Sequence, residues 1–183
     1  NNKLPLSLLS FFKGIQKGET LEKKTAPQPP SGKGRILNIK SAIIGKIGSV
    51  YREQENYPKA LDYYFKGLKL SLELGNKKGV FFKLGNIGNV YYLQGNYYEA
   101  LKNYFASLKI DEETGDKDGI AVSFLNIGAV YNVLKNYEKA KEYCSKSLNL
   151  ASSLGDLETA KDASQNLSDV YAALGKHKEA LEC

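Results

Sequence analysis

Few side chains in this 183-residue sequence belong to types that do covalent or metal chemistry, and their spacing limits what they can do. His177 is the single imidazole, so a His-rich metal site lacks ligands and a His-based triad would have only that residue to use. Cys144 and Cys183 are the only thiols. Two cysteines cannot make a disulfide scaffold, so nothing in the composition demands an oxidising compartment. Asp116-Lys117-Asp118-Gly119 opens like a calcium loop, but its glycine comes too early and no glutamate stands at the loop's twelfth position. Ser31-Gly32-Lys33-Gly34 has the residue types of a phosphate loop without the Gly-x4-Gly-Lys-Ser/Thr spacing or a preceding strand. Asn166-Leu167-Ser168 fits a glycosylation triplet but falls in the middle of a helical pattern. The expectation is a chain with no catalytic set, no metal site and no cofactor.

Composition places the chain among ordinary globular proteins, at 42% hydrophobic and 25% charged residues. Its longest apolar run, Leu4–Phe12, is broken by Pro5, Ser7 and Ser10. That is far short of the roughly 18–20 residues of a membrane span, and no small-residue cleavage site follows it. A cytoplasmic protein is expected. The absence of methionine points to a fragment, a processed product or an uncertain start. The formal charge of +6 is local: residues 1–40 hold eight basic and two acidic residues, and the remaining 143 hold 18 of each sign. The bulk of the chain therefore has no excess positive charge with which to hold a nucleic-acid backbone. Residues 1–36, with Pro27, Pro29, Pro30 and interspersed glycines, read as a basic tail or extended linker.

From about residue 40 the sequence repeats. Ile47-Gly48-Ser49-Val50-Tyr51 returns as Ile87-Gly88-Asn89-Val90-Tyr91, as Ile127-Gly128-Ala129-Val130-Tyr131 and as Leu167-Ser168-Asp169-Val170-Tyr171, always 40 residues on. Ala60, Ala100, Ala140 and Ala180 follow in step, as do Gly75, Gly115 and Gly155. Each copy carries two apolar stripes at helical spacing, such as Ile44, Ile47, Val50 and Tyr51, then Ala60, Leu61, Tyr64, Leu68 and Leu72. The glycines after the second stripe suit a left-handed C-cap, and Asn76, Asp116 and Asp156 suit the next N-cap. A glycine inside a helix costs about 1 kcal/mol against alanine, so Gly48, Gly88 and Gly128 imply close approach of the partner helix. The pattern predicts helices near 38–54, 57–74, 78–94, 97–114, 118–134, 137–154, 158–174 and 177–183. The copies fall at about 41–80, 81–120, 121–160 and an incomplete 161–183, within a domain spanning 37–183.

Leu84-x2-Ile87-Gly88-x2-Tyr91 with Ala100-x3-Tyr104, and its counterparts from Ile44 and Phe124, resemble the tetratricopeptide repeat. The period of 40 exceeds the family's usual 34, and the terminal proline is missing. In these respects the chain is similar to kinesin light chains, polarity adaptors and bacterial sensor or regulator repeats. The resemblance implies an all-α solenoid of antiparallel helix pairs, a right-handed superhelix whose first helices line a concave groove. Groove positions then include Lys46, Arg52, Phe82, Asn86, Asn89, Tyr92, Asn126, Asn132 and Asn166. Asn86, Asn126 and Asn166 form a ladder 40 residues apart. An asparagine carries both a donor and an acceptor, so it can hold an extended peptide backbone; solvated helix-face residues copied with the repeat is the other reading, and both stay open. A carboxylate clamp of the kind some members use is incomplete, because Val122 and Asn126 stand where basic residues are needed. His177 aligns with Tyr57, Tyr97 and Tyr137 as a turn-packing residue, and Cys144 aligns with Tyr64 and Tyr104 as a buried filler.

The implied function is a protein–protein interaction module that binds a peptide or protein segment within a larger protein or assembly. The alternative is a ligand-sensing domain that regulates an attached kinase, cyclase or DNA-binding effector. Partners are a protein or peptide, with no nucleic acid through the repeats. The unfinished last copy, read as continuing past Cys183, offers an edge for self-association.

Overall fold

The computed structural model describes residues 31–182, so Cys183 and the first thirty residues of the expected tail lie outside it. The described residues form helices α1 Ser31–Glu53, α2 Tyr57–Glu73, α3 Lys77–Leu93, α4 Tyr97–Thr114, α5 Lys117–Val133, α6 Tyr137–Leu154, α7 Leu157–Ala173 and α8 His177–Glu182, with no strand among them. Seven of the eight start within a residue of the predicted positions. The first, α1, begins at Ser31 instead of near 38. The apolar spacing that sustains it runs back through Ile43 and Ile39 to Ile36, and Pro29-Pro30 stand immediately before it. Gly32 and Gly34 are therefore helical residues and not part of a linker.

Each turn between helices is built the same way. The N–H of Asn76 donates to the Ser71 carbonyl at 2.9 Å, that of Asp116 to Asp111 at 3.0 Å and that of Asp156 to Ala151 at 3.0 Å. The residue before each is a glycine with positive φ, which closes the helix in a Schellman-type cap. The same side chains then cap the next helix: Asn76 Oδ1 accepts from Gly79 N–H at 2.8 Å and Asp156 Oδ1 from Thr159 N–H at 3.1 Å. Within each repeat, Asn56, Asn96 and Asn136 do both jobs, accepting from Lys59, Glu99 and Lys139.

In this inner turn the left-handed residue is Gly95 or Gly175 in two copies but Glu55 (φ 56) or Lys135 (φ 58) in the others. A side chain in that region costs roughly 1–2 kcal/mol. Lys135→Gly is therefore expected to raise stability by about 0.5–1 kcal/mol, once the freer unfolded chain is subtracted. Urea unfolding measures this directly, and an unchanged or lower midpoint would count against the strain.

The described chain consists of two compact units, one ending at Val90 and one beginning at Tyr91. In the first, α1 and α2 run antiparallel. A Cβ on Gly48 would stand 3.3 Å from the Ala60 carbonyl and 2.8 Å from the Tyr64 ring, and Ser41 Oγ donates to the Gly67 carbonyl at 3.1 Å. Then α3 folds back on α2, with Gly79 against Ser71 and the Lys83 stem against Gly67.

The second unit repeats this plan. Gly128 meets Cys144 and the Ala140 carbonyl, and Ser147 Oγ donates to the Ala121 carbonyl at 2.8 Å, so α5 and α6 are antiparallel. Ala100, Tyr104, Leu108, Ile127 and Val130 form its core. In α7, Ser168 replaces the crossing glycine, and its hydroxyl donates to the Ala180 carbonyl of α8 at 2.8 Å. That polar substitute keeps the same register with one hydrogen bond.

On the flank of each hairpin, Tyr51 stacks on Tyr63 at 5.4 Å and Tyr131 on Tyr143 at 5.8 Å, with Lys59 and Lys139 ammonium groups over the first ring of each pair. Most recurring tyrosines are thus packing residues.

Candidate functional site

The expected groove residues divide between the two units. In the first, Lys46 is exposed and Arg52 half-buried on α1, while Phe82, Asn86 and Asn89 lie on α3. Phe82 is 50% exposed, its ring tilted against Phe81 at 5.0 Å and its face 6.0 Å from the Lys78 ammonium. An aromatic ring held in water by its neighbours is a ready apolar contact for a ligand.

In the second unit α5 and α7 are neighbours, and the groove positions on both are partly or fully exposed. Val122, Leu125, Asn126, Ala129 and Asn132 are half-buried there, beside half-buried Asn166 and exposed Asp162, Gln165 and Asp169 of α7. Gln165 Nε2 donates to Asp169 Oδ1 at 3.1 Å. No hydrogen bond among the described residues occupies the side-chain amide of Asn86, Asn126 or Asn166. Tyr92 differs from the others. Its ring packs edge-on against Tyr97 at 5.7 Å and against the Ala100–Val130 core, and burial holds its phenol above the usual pKa.

The remaining reactive groups have structural surroundings. Cys144 is fully buried against Gly128, and burial pushes its thiol up to about 12, which leaves it protonated and unreactive at neutral pH. His177 lies exposed at the start of α8, where the sequence alignment placed a packed turn residue. Its register partners Tyr57, Tyr97 and Tyr137 are half-buried. Among the described residues no group of three or more His, Cys, Asp or Glu is placed to hold a metal ion, and no helix is long and apolar enough to cross a membrane.

Two buried ionisable groups escape a reading of the sequence. Lys83 is 7% exposed, its stem wedged against Gly45 and Gly67, and desolvation lowers its pKa. Asp111 is 1% exposed, and burial raises its carboxyl to about 7, although it accepts the Ser123 hydroxyl at 3.1 Å. The signal was available at one position: Ser71 and Ala151 occupy the register of Asp111, so a carboxylate stands there in a column of small buried residues.

Tetratricopeptide repeat profiles match residues 43–78, 79–132 and 119–183. No curated protein sequence matches. Among solved structures, the apo form of RapI superposes with a TM-score of 0.74 at 22% identity, over 80% of this chain and 41% of that one. BtubC (BKLC) from P. vanneervenii gives 0.72 at 18% identity, over 97% of this chain and 72% of that one. A Rap protein complexed with competence and sporulation factor gives 0.73 at 18% identity, over 79% of this chain and 40% of that one. The chain thus spans about two fifths of the length of the Rap structures it matches. At these identities the likeness is one of fold, the α-solenoid of helix pairs.

Proposed function

The chain belongs to the tetratricopeptide repeat family, and we propose that it serves as a non-catalytic module that binds an extended peptide or protein segment on its first-helix faces. The observation that carries this reading is the amide pair on α5 and α7. Asn126 and Asn166 stand at one register on adjacent helices, with side-chain amides that no hydrogen bond among the described residues occupies. Each amide offers a donor and an acceptor, the pair of functions that a peptide bond presents in reverse. Asn132 lies further along α5, and half-buried Val122 and Leu125 give apolar ground beside it. In the first unit Lys46, Arg52, Phe82, Asn86 and Asn89 form the corresponding face. Tyr92 belongs to the second unit and serves there as support, since its ring lies against that unit's core.

Charge narrows the partner. The α7 part of the face exposes Asp162 and Asp169, and none of its groove positions in the second unit is basic. The segment bound there carries apolar side chains and at least one Lys or Arg. A Rap structure of the same fold is a complex with competence and sporulation factor, which supports ligand holding by helix repeats of this build.

The test uses a peptide selected from a random library against the whole chain. Asn126→Ala with Asn166→Ala removes two amides, worth about 1 kcal/mol each in net hydrogen bonding, so affinity is expected to fall roughly 30-fold by calorimetry. Circular dichroism of the double variant should be unchanged. Equal affinity would move binding to another surface.

A further inference from the structure

An apolar face of α1 lies uncovered among the described residues. Ile36, Ile39, Ile43, Ile47 and Val50 are 68, 55, 52, 36 and 51% exposed, and at about 100° per residue they all fall within about 40° of Ile43 around the helix. The buried positions Ser41, Gly45 and Gly48 lie on the opposite side, toward α2 and the Lys83 stem. In later copies the register of the stripe is hidden: Ile87 and Val90, Ile127 and Val130, Leu167 and Val170 are all buried. In α3 and α5 the second helix of the preceding copy lies on that register. Gly67 of α2 meets Lys83 and Ser71 meets Gly79, an antiparallel pairing, and Asp111 of α4 meets Ser123 and Gly119. The face is thus one that takes an antiparallel helix. In the first copy it is more apolar than in any later one, yet no described helix precedes it.

We propose that the antiparallel helix on this face is α1 of a second copy of the chain, in a two-fold dimer centred on Ile43. The spacing of the stripe carries the proposal. From Ile36 to Val50 the steps are 3, 4, 4 and 3 residues, so the stripe reads the same in both directions. A two-fold interface must complement itself, and this one does. Ile43 meets Ile43 of the second copy, Ile39 meets Ile47, and Ile36 meets Val50.

Charge agrees with the same pairing. Arg35 and Glu53 are both exposed and stand 18 residues apart, which is five full turns, so they share one line along a flank of the stripe. A two-fold at Ile43 brings each Arg35 to within about 3 Å, measured along the helix, of the second copy's Glu53, at both ends of the contact. A parallel pairing would instead set Arg35 against Arg35. Lys40 and Lys46 are exposed on either side of the stripe, where their stems extend the apolar cover and their ammonium groups reach water. The five apolar side chains together expose on the order of 500 Å², the size of the largest apolar patch on an ordinary monomer. Two copies face to face bury about 1,000 Å², which reaches the threshold of a specific contact and sits at the low end of interface sizes.

Sedimentation equilibrium of the whole chain tests this. A monomer–dimer equilibrium with a Kd on the order of 10 µM is expected for an interface of that size. Ile43→Asp sets two carboxylates together on the axis and should weaken the dimer roughly 100-fold, with an unchanged circular dichroism spectrum because the side chain is half exposed. Arg35→Glu places like charges at both ends and should weaken it roughly fivefold. Adding Glu53→Arg to that variant reverses both pairs and should restore the parent Kd. A chain that stays monomeric up to about 1 mM would overturn the dimer and assign the face to a different cover. A dimer indifferent to Ile43→Asp would place self-association on another surface and overturn it as well. A double variant as weak as Arg35→Glu alone would overturn the antiparallel pairing. None of these three residues belongs to the proposed peptide-binding face, so the result stands apart from the binding test above.

Discussion

Replacing Asp111 with asparagine is expected to stabilise the protein at pH 8 by on the order of 4 kcal/mol, and to leave it nearly unchanged at pH 4. The carboxyl is 1% exposed between α4 and α5, where burial raises it to about 7 from an ordinary value of 3.8. Asp116, the N-cap of α5, and Glu112, one residue along α4, add negative charge that pushes the same way. The Ser123 hydroxyl, donating at 3.1 Å, offsets part of it. A carboxyl whose folded pKa is raised contributes stability while protonated, and loses that contribution as pH climbs from its unfolded value through its folded one. The window is therefore about pH 4 to 7, at ~1.36 kcal/mol per unit. Asparagine keeps the shape and cannot ionise. Urea unfolding of both chains at pH 4.5, 6 and 8 reads the difference directly. Parallel curves, with the same gap at every pH, would mean that Asp111 ionises freely in the folded state.

The same residue marks how far the sequence could be read. The 40-residue period located seven helix starts within a residue because caps, crossings and stripes recur together, and each repetition corrects the last. Gly48 and Gly128 were legible as close crossings because a glycine kept in mid-helix costs stability unless space demands it. Asp111 and Lys83 were not legible as buried groups, because charge in a sequence signals water, and only their register in a column of small residues contradicts that. The start of α1 was missed because glycines next to prolines read as linker, whereas the isoleucines behind them continue a helix. Phe82, Asn86, Asn126 and Asn166 were placed on their helices by register, but the exposure of the ring and the unoccupied amides are properties of three dimensions. His177 failed as a packed residue for a related reason: alignment supplies a position and not the surroundings that bury a side chain.

Gly128→Ala and Gly85→Ala are the same substitution in neighbouring repeats, and they should move stability in opposite directions. Helix propensity alone predicts a gain of about 1 kcal/mol for each. At Gly85 a new Cβ meets nothing within 4 Å, so the gain should appear in full. At Gly128 the Cβ would press on Cys144 Sγ and stand 3.1 Å from the Cys144 backbone nitrogen and 3.5 Å from the Ala140 carbonyl. Backbone cannot swing aside as a flexible side chain can, so α5 and α6 must separate, at about 1–3 kcal/mol. That outweighs the propensity term, and the melting temperature should fall by roughly 2–4 °C for each kcal/mol lost. Cys144→Ala in the Gly128→Ala background removes the sulfur and leaves the backbone contact, so it should recover part of the loss and not all of it. Calorimetry of the four chains decides the matter. A gain at Gly128 equal to that at Gly85 would mean that the two helices have room to spare, and that the recurrent glycine is not there for the crossing.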